Sequence, residues 1–343
     1  MPVWVWVAFH VVVFTILAID LGIFHRHAHE VSVREAAGWT VTWVTMALLF
    51  NIGIAQYMGG QAGLEFLTGY LIEQALSVDN IFVFVLIFSY FSVPKRYQHR
   101  VLFWGILGAL ILRGTMIALG TLLIQRFEWI LYVFGGFLVF TGLRMAFAGE
   151  SEIKVEANPL IRLLRRVMPV TKRYHGQRFI VQARVKGRRR WMATPLLVVL
   201  IMVETTDLVF AVDSIPAIFS VTTDPFLVYT SNVCAILGLR SLYFLLAGIV
   251  TQFRFLQLGL SVVLIFVGVK MLIADWYHMP IGISLGVIAG VLALSIGGSL
   301  LFPEVVEAHS PVEHDPLEGS LDRAAEVLDV DAEPEEKRRS GRK

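Results

Sequence analysis

The sequence predicts an all-α, polytopic integral membrane protein, and three observations carry the prediction. Hydrophobic residues make up 56% of the 343 positions and charged residues only 16%, with a mean hydropathy of +0.69; a soluble domain is roughly a quarter charged. The apolar residues gather into nine segments near the ~20 residues that a helix needs to cross a bilayer core. The loop cations fall on alternate connections. A soluble fold is excluded by composition. Barrel strands are excluded by length and continuity, because runs this long satisfy their backbone in lipid as helices.

Taken in order, the first span is predicted over Val3 to Phe24. Its apolar run is longer than the core of a signal peptide and has no basic segment before it, so it reads as an uncleaved helix. The second span, Ala37 to Tyr57, completes an N-terminal region of residues 1–61. Between them, His25-Arg26-His27-Ala28-His29 has the composition of a metal-binding tract. With no carboxylates facing it on a defined element, it reads as an interfacial loop. Asp20 is either a residue on the ion's path or an acid at a helix end.

Spans 3 to 5 (Ala62 to Phe91, Val101 to Ile124, Trp129 to Ala148) fill residues 62–148, and spans 6 to 8 (Pro195 to Val221, Pro225 to Val250, Phe255 to Ala274) fill 195–274. A last span, Ile281 to Phe302, lies in 275–302, and the acidic tail at 303–343 is expected to be disordered. Residues 149–194 form a basic insertion with Arg162, Arg165, Arg166, Lys172, Arg173, Arg178, Arg184, Lys186, Arg188, Arg189 and Arg190. These charges read as a topology signal on a solvated loop at the anionic leaflet. Nucleic acid is not an expected partner, since no recognition fold or aromatic platform accompanies them. Phe179 to Val185 and Arg189 to Ala193, about Lys186-Gly187, have the pattern of a β-hairpin. Nine spans place nearly all loop cations on one side, which predicts an external N-terminus and a cytoplasmic C-terminus. Trp4, Trp6, Trp39, Trp43, Trp129 and Trp276 are assigned to interfacial belts. The single cysteine, Cys234, excludes a disulfide framework.

Spans 3 to 5 and 6 to 8 read as two copies of one unit. Leu76-Ser77-Val78-Asp79-Asn80-Ile81 parallels Phe210-Ala211-Val212-Asp213-Ser214-Ile215 at an offset of 134. Leu110 to Arg113 parallels Leu237 to Arg240 at 127, and Gly142 to Met145 parallels Gly268 to Met271 at 126. Three spans per copy is an odd number, so the second copy is inverted, the architecture of many secondary transporters.

Glu73 and Asp79 lie on span 3, and Glu204, Asp207 and Asp213 on span 6. Carboxylates at bilayer depth cost several kcal/mol, so five on two related spans point to a functional interior. The plainer reading of any one of them is a structural acid paired with a buried arginine. Glu204 and Asp207 share a helical face at i and i+3. The six-residue separations of Glu73 from Asp79 and Asp207 from Asp213 point each pair in different directions. The pairs converge only if the helix is interrupted, or each acid serves a different neighbour. Pro216 frees the carbonyl of Val212 and favours an interruption in span 6. Asn80 and Ser214 add neutral oxygens. Oxygen ligands without an adjacent Cys or His are the set that hard divalent cations require. Arg113 and Arg240, at matching mid-span places, are expected to be charge-balancing residues; the alternative is snorkelling to an interface. Five acids against two arginines leave excess negative charge, so protons are the expected counter-ion and antiport the expected coupling.

At these residues the chain resembles the TerC family of membrane proteins, within the lysine-exporter superfamily. The resemblance rests on Asp20 to Phe24, Glu73 to Asn80 and Glu204-Thr205-Thr206-Asp207-Leu208-Val209-Phe210-Ala211-Val212-Asp213-Ser214-Ile215-Pro216-Ala217. It implies a location in the bacterial inner membrane, manganese export, and binding of the ion by Glu73, Asp79, Glu204, Asp207 and Asp213. Tellurium resistance and membrane-protein insertion are further roles within the family. The sequence-based expectation is a secondary transporter of a divalent metal cation, Mn²⁺ foremost, and not an enzyme, since no protease motif or nucleotide-binding loop is present. An assembly factor and a carrier of another solute are the alternatives.

Overall fold

A computed structural model of the chain describes residues 1–19, 31–127, 129–147, 158–171, 173–185, 188–247, 255–277 and 279–301. Asp20, the His25 to His29 stretch, the Lys186-Gly187 turn and the acidic tail lie outside the described residues.

Each of the nine apolar segments is a helix: α1 (Val3–Ile19), α2 (Val33–Met58), α3 (Gly60–Tyr90), α4 (Lys95–Arg126), α5 (Ile130–Phe147), α7 (Pro195–Phe219), α8 (Pro225–Leu246), α9 (Leu256–Leu272) and α10 (Ile281–Leu301). Among the described residues, seven of these are long and apolar enough to cross a membrane, and α1 and α9 are shorter apolar helices. The protein is therefore an all-α polytopic membrane protein. Pro94, Thr194 and Asp224 start α4, α7 and α8 at proline-containing first turns or caps. Asp224 accepts from the backbone N–H groups of Phe226 and Leu227, satisfying donors that the first helical turn leaves free.

The packing runs crosswise. α3 lies against α8 and α2, α4 against α7 and α8, α5 against α9, and α10 against α9 and α3. The tightest crossing is between α5 and α9. A Cβ on Gly268 would sit 2.6 Å from the carbonyl oxygen of Gly135, and one on Gly142 would sit 2.9 Å from that of Ser261. With lipid on the outside, helices gain from such close backbone approach and not from hydrophobic expulsion.

Three expectations need correction. α7 continues through Pro216 without the predicted interruption. Pro216 stands three residues before the helix ends and removes a single intrahelical donor, while its carbonyl still accepts from Ser220 at 3.2 Å. The basic insertion is not simply a solvated loop. It contains a short helix, α6 (Pro159–Val167), capped by Asn158, and an antiparallel hairpin of β1 (Ile180–Val185) and β2 (Arg188–Ala193) with Val181 opposite Met192. These pack on the ends of α3, α4 and α7: the Tyr174 hydroxyl donates to the Phe91 carbonyl at 2.7 Å, and the Arg100 guanidinium lies over the Phe179 ring at 5.2 Å. The hairpin agrees with its prediction, whereas α6 was missed because five apolar residues among arginines look like a charge run. Finally, Trp43 is not at an interface but buried with Ile106, Leu110, Val233 and Ile236, while Trp4, Trp129 and Trp276 are exposed.

Candidate functional site

Arg113, near the middle of α4, is the largest fully buried side chain. Its fork grips Asp207 of α7 twice, Nε to Oδ2 at 3.1 Å and Nη2 to Oδ1 at 2.9 Å. Nη1 donates to Glu73 Oε1 of α3 and, at 3.2 Å, to the Ser214 hydroxyl of α7. Three helices therefore meet at one guanidinium. The planar fork suits this role, since a lysine ammonium cannot present two parallel donors to one carboxylate and a third to another.

The neighbouring oxygens are less satisfied. Glu73 Oε2, Glu204 Oε2, Asn80 Oδ1, Ser77 Oγ and Gln74 Oε1 are buried without a hydrogen-bond partner. Most buried polar atoms are paired; unpartnered ones also occur at Asn51, Thr121, Asn232 and Ser284, and what sets this group apart is that two of its oxygens are carboxylates beside Arg113 and Asp207. Glu204 lies within electrostatic reach of Asp207. Asp79 on α3 lies within electrostatic reach of Asp213 on α7, and Asp213 also engages the Thr141 hydroxyl and the field of Arg144 on α5. Arg240 is buried on α8 but takes no part in the ion pairs of Glu73 and Asp207.

The predicted site residues are thus divided. Glu73, Asp207, Ser214 and Arg113 are joined directly; Glu204 stands beside them; Asp79 and Asp213 lie within electrostatic reach of each other. Among the described residues no three His, Cys, Asp or Glu side chains close into a metal cage, because Arg113 occupies the space between Glu73 and Asp207. Sequence reasoning missed Gln74, Ser77, Thr141 and Arg144. Ser77 and Gln74 lie inside the motif already singled out, and their polarity on a buried helix was the available signal. Thr141 and Arg144 carried no signal without knowledge of how α5 packs.

Gly108 of α4 supplies a sharp probe. A Cβ there would lie 2.1–2.4 Å from the carboxylate of Glu204. That carboxylate is the end of a flexible side chain and can swing away, so Gly108→Ala is expected to leave abundance near normal while displacing Glu204. Isotope-edited infrared spectra should then show the Glu204 carboxylate band shifted from its wild-type position. An unchanged band would show that the Glu204 carboxylate does not lie against position 108.

A helical membrane protein with carboxylates, neutral oxygens and one shared arginine at the crossing of its spans belongs to the class of polytopic proteins that handle charge within the bilayer. The chain is a member of the TerC family: the family described as integral membrane protein TerC matches residues 58–305. It is 53% identical over 296 residues to the "Uncharacterized membrane protein STKORF319" of Myxococcus xanthus, spanning 86% of this chain and 92% of that one. It is 51% identical over 299 residues to the "Putative membrane-bound redox modulator Alx" of Escherichia coli (strain K12), spanning 84% and 92%. A membrane protein of Rickettsia bellii is 38% identical over 302 residues, spanning 88% and 99%. No solved structure matches the chain.

Proposed function

We propose that this TerC-family protein is a secondary transporter of the bacterial inner membrane that exports a hard divalent cation, Mn²⁺ foremost, by exchange with protons. The observation that carries the reading is the pair of unpartnered carboxylate oxygens, Glu73 Oε2 and Glu204 Oε2, beside Arg113 and Asp207, with Ser77 and Asn80 one and two helical turns on from Glu73. Such oxygens suit a hard cation, and neither His nor Cys lies among them. Manganese in particular comes from the family resemblance.

Alternating access between two inverted units is supported by two features. Glu73 and Asp207 are separated by the same 134 residues as Asp79 and Asp213; the first pair is bridged by Arg113 and the second lies within electrostatic reach between α3 and α7. The α5 to α9 crossing repeats the relation: Gly135 meets Gly268, Gly142 meets Ser261, and both Gly135 to Ser261 and Gly142 to Gly268 are 126 apart. The redox role in the name of the Alx relatives has less support here, since a chain with one cysteine, the partly buried Cys234, forms no internal dithiol couple.

The test is ⁵⁴Mn²⁺ uptake into everted vesicles with Asp79→Asn and Asp213→Asn. Each neutral isostere is expected to reduce uptake at least about a hundredfold, equivalent to ~2.7 kcal/mol, at normal abundance, and an imposed proton gradient should drive uptake only in the wild type. Transport retained in both variants would remove the carboxylate site. An assembly factor would tolerate both substitutions and show no ion flux.

A further inference from the structure

α6 carries more apolar surface than the protein covers. At 100° per residue, Ile161 and Leu164 point into the body, Ile161 being 1% exposed and Leu164 packed beside it on the cluster of Phe91, Val93, Leu196 and Met202. Leu160, Leu163 and Val167 continue the same apolar face but stand 46%, 56% and 75% exposed. Arg162, Arg165 and Arg166 fill the opposite sector, all exposed. A soluble amphipathic helix buries the whole of its apolar face. Here about half of it is left uncovered.

Its position says what covers the remainder. Nine residues are too few to cross a bilayer. Asn158, which caps α6 through Leu160 N–H at 2.9 Å, donates to Met202 Sδ at 3.5 Å, and Ile161 packs with Leu196 and Val199. α6 is therefore fixed level with the first two turns of α7, where the apolar run of that span begins. A short helix at that level, with leucine and valine on one face and three arginines on the other, has the composition of an in-plane anchor.

We propose that α6 is a binding surface for anionic phospholipid. Leu160, Leu163 and Val167 enter the boundary between headgroups and acyl chains, and Arg162, Arg165 and Arg166 pair with lipid phosphates. Basic residues at an anionic leaflet contribute about 1 kcal/mol each, while the apolar row supplies attraction that does not depend on headgroup charge. Because Asn158 joins α6 to Met202, two positions before Glu204, the lipid contact bears on the helix that carries three of the acids.

The experiment uses full-length protein with Cys234→Ala and Leu163→Cys, labelled with bimane and reconstituted in nanodiscs of phosphatidylcholine with increasing phosphatidylglycerol. Lipid-borne quenchers are expected to quench the label and soluble iodide to leave it bright, with lipid quenching increasing as phosphatidylglycerol is added. Arg165→Gln should raise the phosphatidylglycerol fraction needed for the half-maximal change about fivefold, the equivalent of ~1 kcal/mol. The triple change of Arg162, Arg165 and Arg166 to Gln should remove the response to headgroup charge, with quenching by lipid retained. Iodide quenching in every lipid would place α6 in water and overturn the proposal. Protection from both quenchers would show a protein covering, and equal quenching with and without phosphatidylglycerol would show no preference for anionic lipid; either overturns it.

Discussion

Arg113→Met is expected to be nearly absent from the membrane, and any purified fraction to unfold at markedly lower temperature. The substitution keeps volume and removes the charge that Glu73 and Asp207 share. Breaking one partner out of a buried ion cluster costs about 3–5 kcal/mol, because the charges left behind have neither water nor a counter-ion. Against a total stability of about 5–15 kcal/mol that loss is close to decisive. The same argument predicts a rescue. Arg113→Met combined with Glu73→Gln and Asp207→Asn has no uncompensated charge and should recover abundance, while ion transport stays abolished. Arg113→Lys should be intermediate in stability, since it keeps the charge and loses the paired donors to Asp207. Membrane abundance and detergent melting curves of the variants check the series, and a stable Arg113→Met single variant would show that the guanidinium is not the hub.

Gly268→Ala should lower the melting temperature, contrary to what helix propensity alone predicts. In an isolated helix alanine is better than glycine by about 1 kcal/mol. At this crossing the new methyl would lie 2.6 Å from the Gly135 carbonyl oxygen and 2.9 Å from the Val139 amide nitrogen. Both are backbone atoms that cannot turn aside, so α5 and α9 must separate. Overpacking of this kind costs typically about 1–3 kcal/mol, and Gly268→Leu should exceed it and deplete the protein. Gly136→Ala is the matched control, with nothing within 4 Å of its added Cβ. It should be neutral or slightly stabilising. Equal melting temperatures for Gly268→Ala and Gly136→Ala would contradict the close approach.

The nine apolar helices were legible because lipid imposes one requirement, an internally bonded apolar helix, on every crossing segment. The acids were legible for the complementary reason, being costly where they stand. How they are shared out was not. The six-residue spacing of Glu73 from Asp79 and of Asp207 from Asp213 allowed either a broken helix or separate neighbours, and Pro216 pointed to the break. Because both helices stay continuous, the second arrangement holds: Glu73 and Asp207 turn to Arg113, while Asp79 lies within electrostatic reach of Asp213 instead. Pairings of this type depend on the rotation of one helix about its axis relative to the next, which no local pattern records. Arg113 and Arg240 looked equivalent in sequence, yet among the described residues the ion pairs of Glu73 and Asp207 are made by Arg113.

The grip of Arg113 on its two carboxylates is unequal. Asp207 is held through both oxygens, Glu73 through one, and the other Glu73 oxygen already lacks a partner. Glu73 can therefore take up a cation on its second oxygen while its ion pair with Arg113 stays intact, whereas both oxygens of Asp207 are already engaged. This gives the crossing a polarity that two identical halves would lack. In isotope-edited infrared spectra, the carboxylate band of Glu73 should shift on Mn²⁺ addition at lower concentration than that of Asp207.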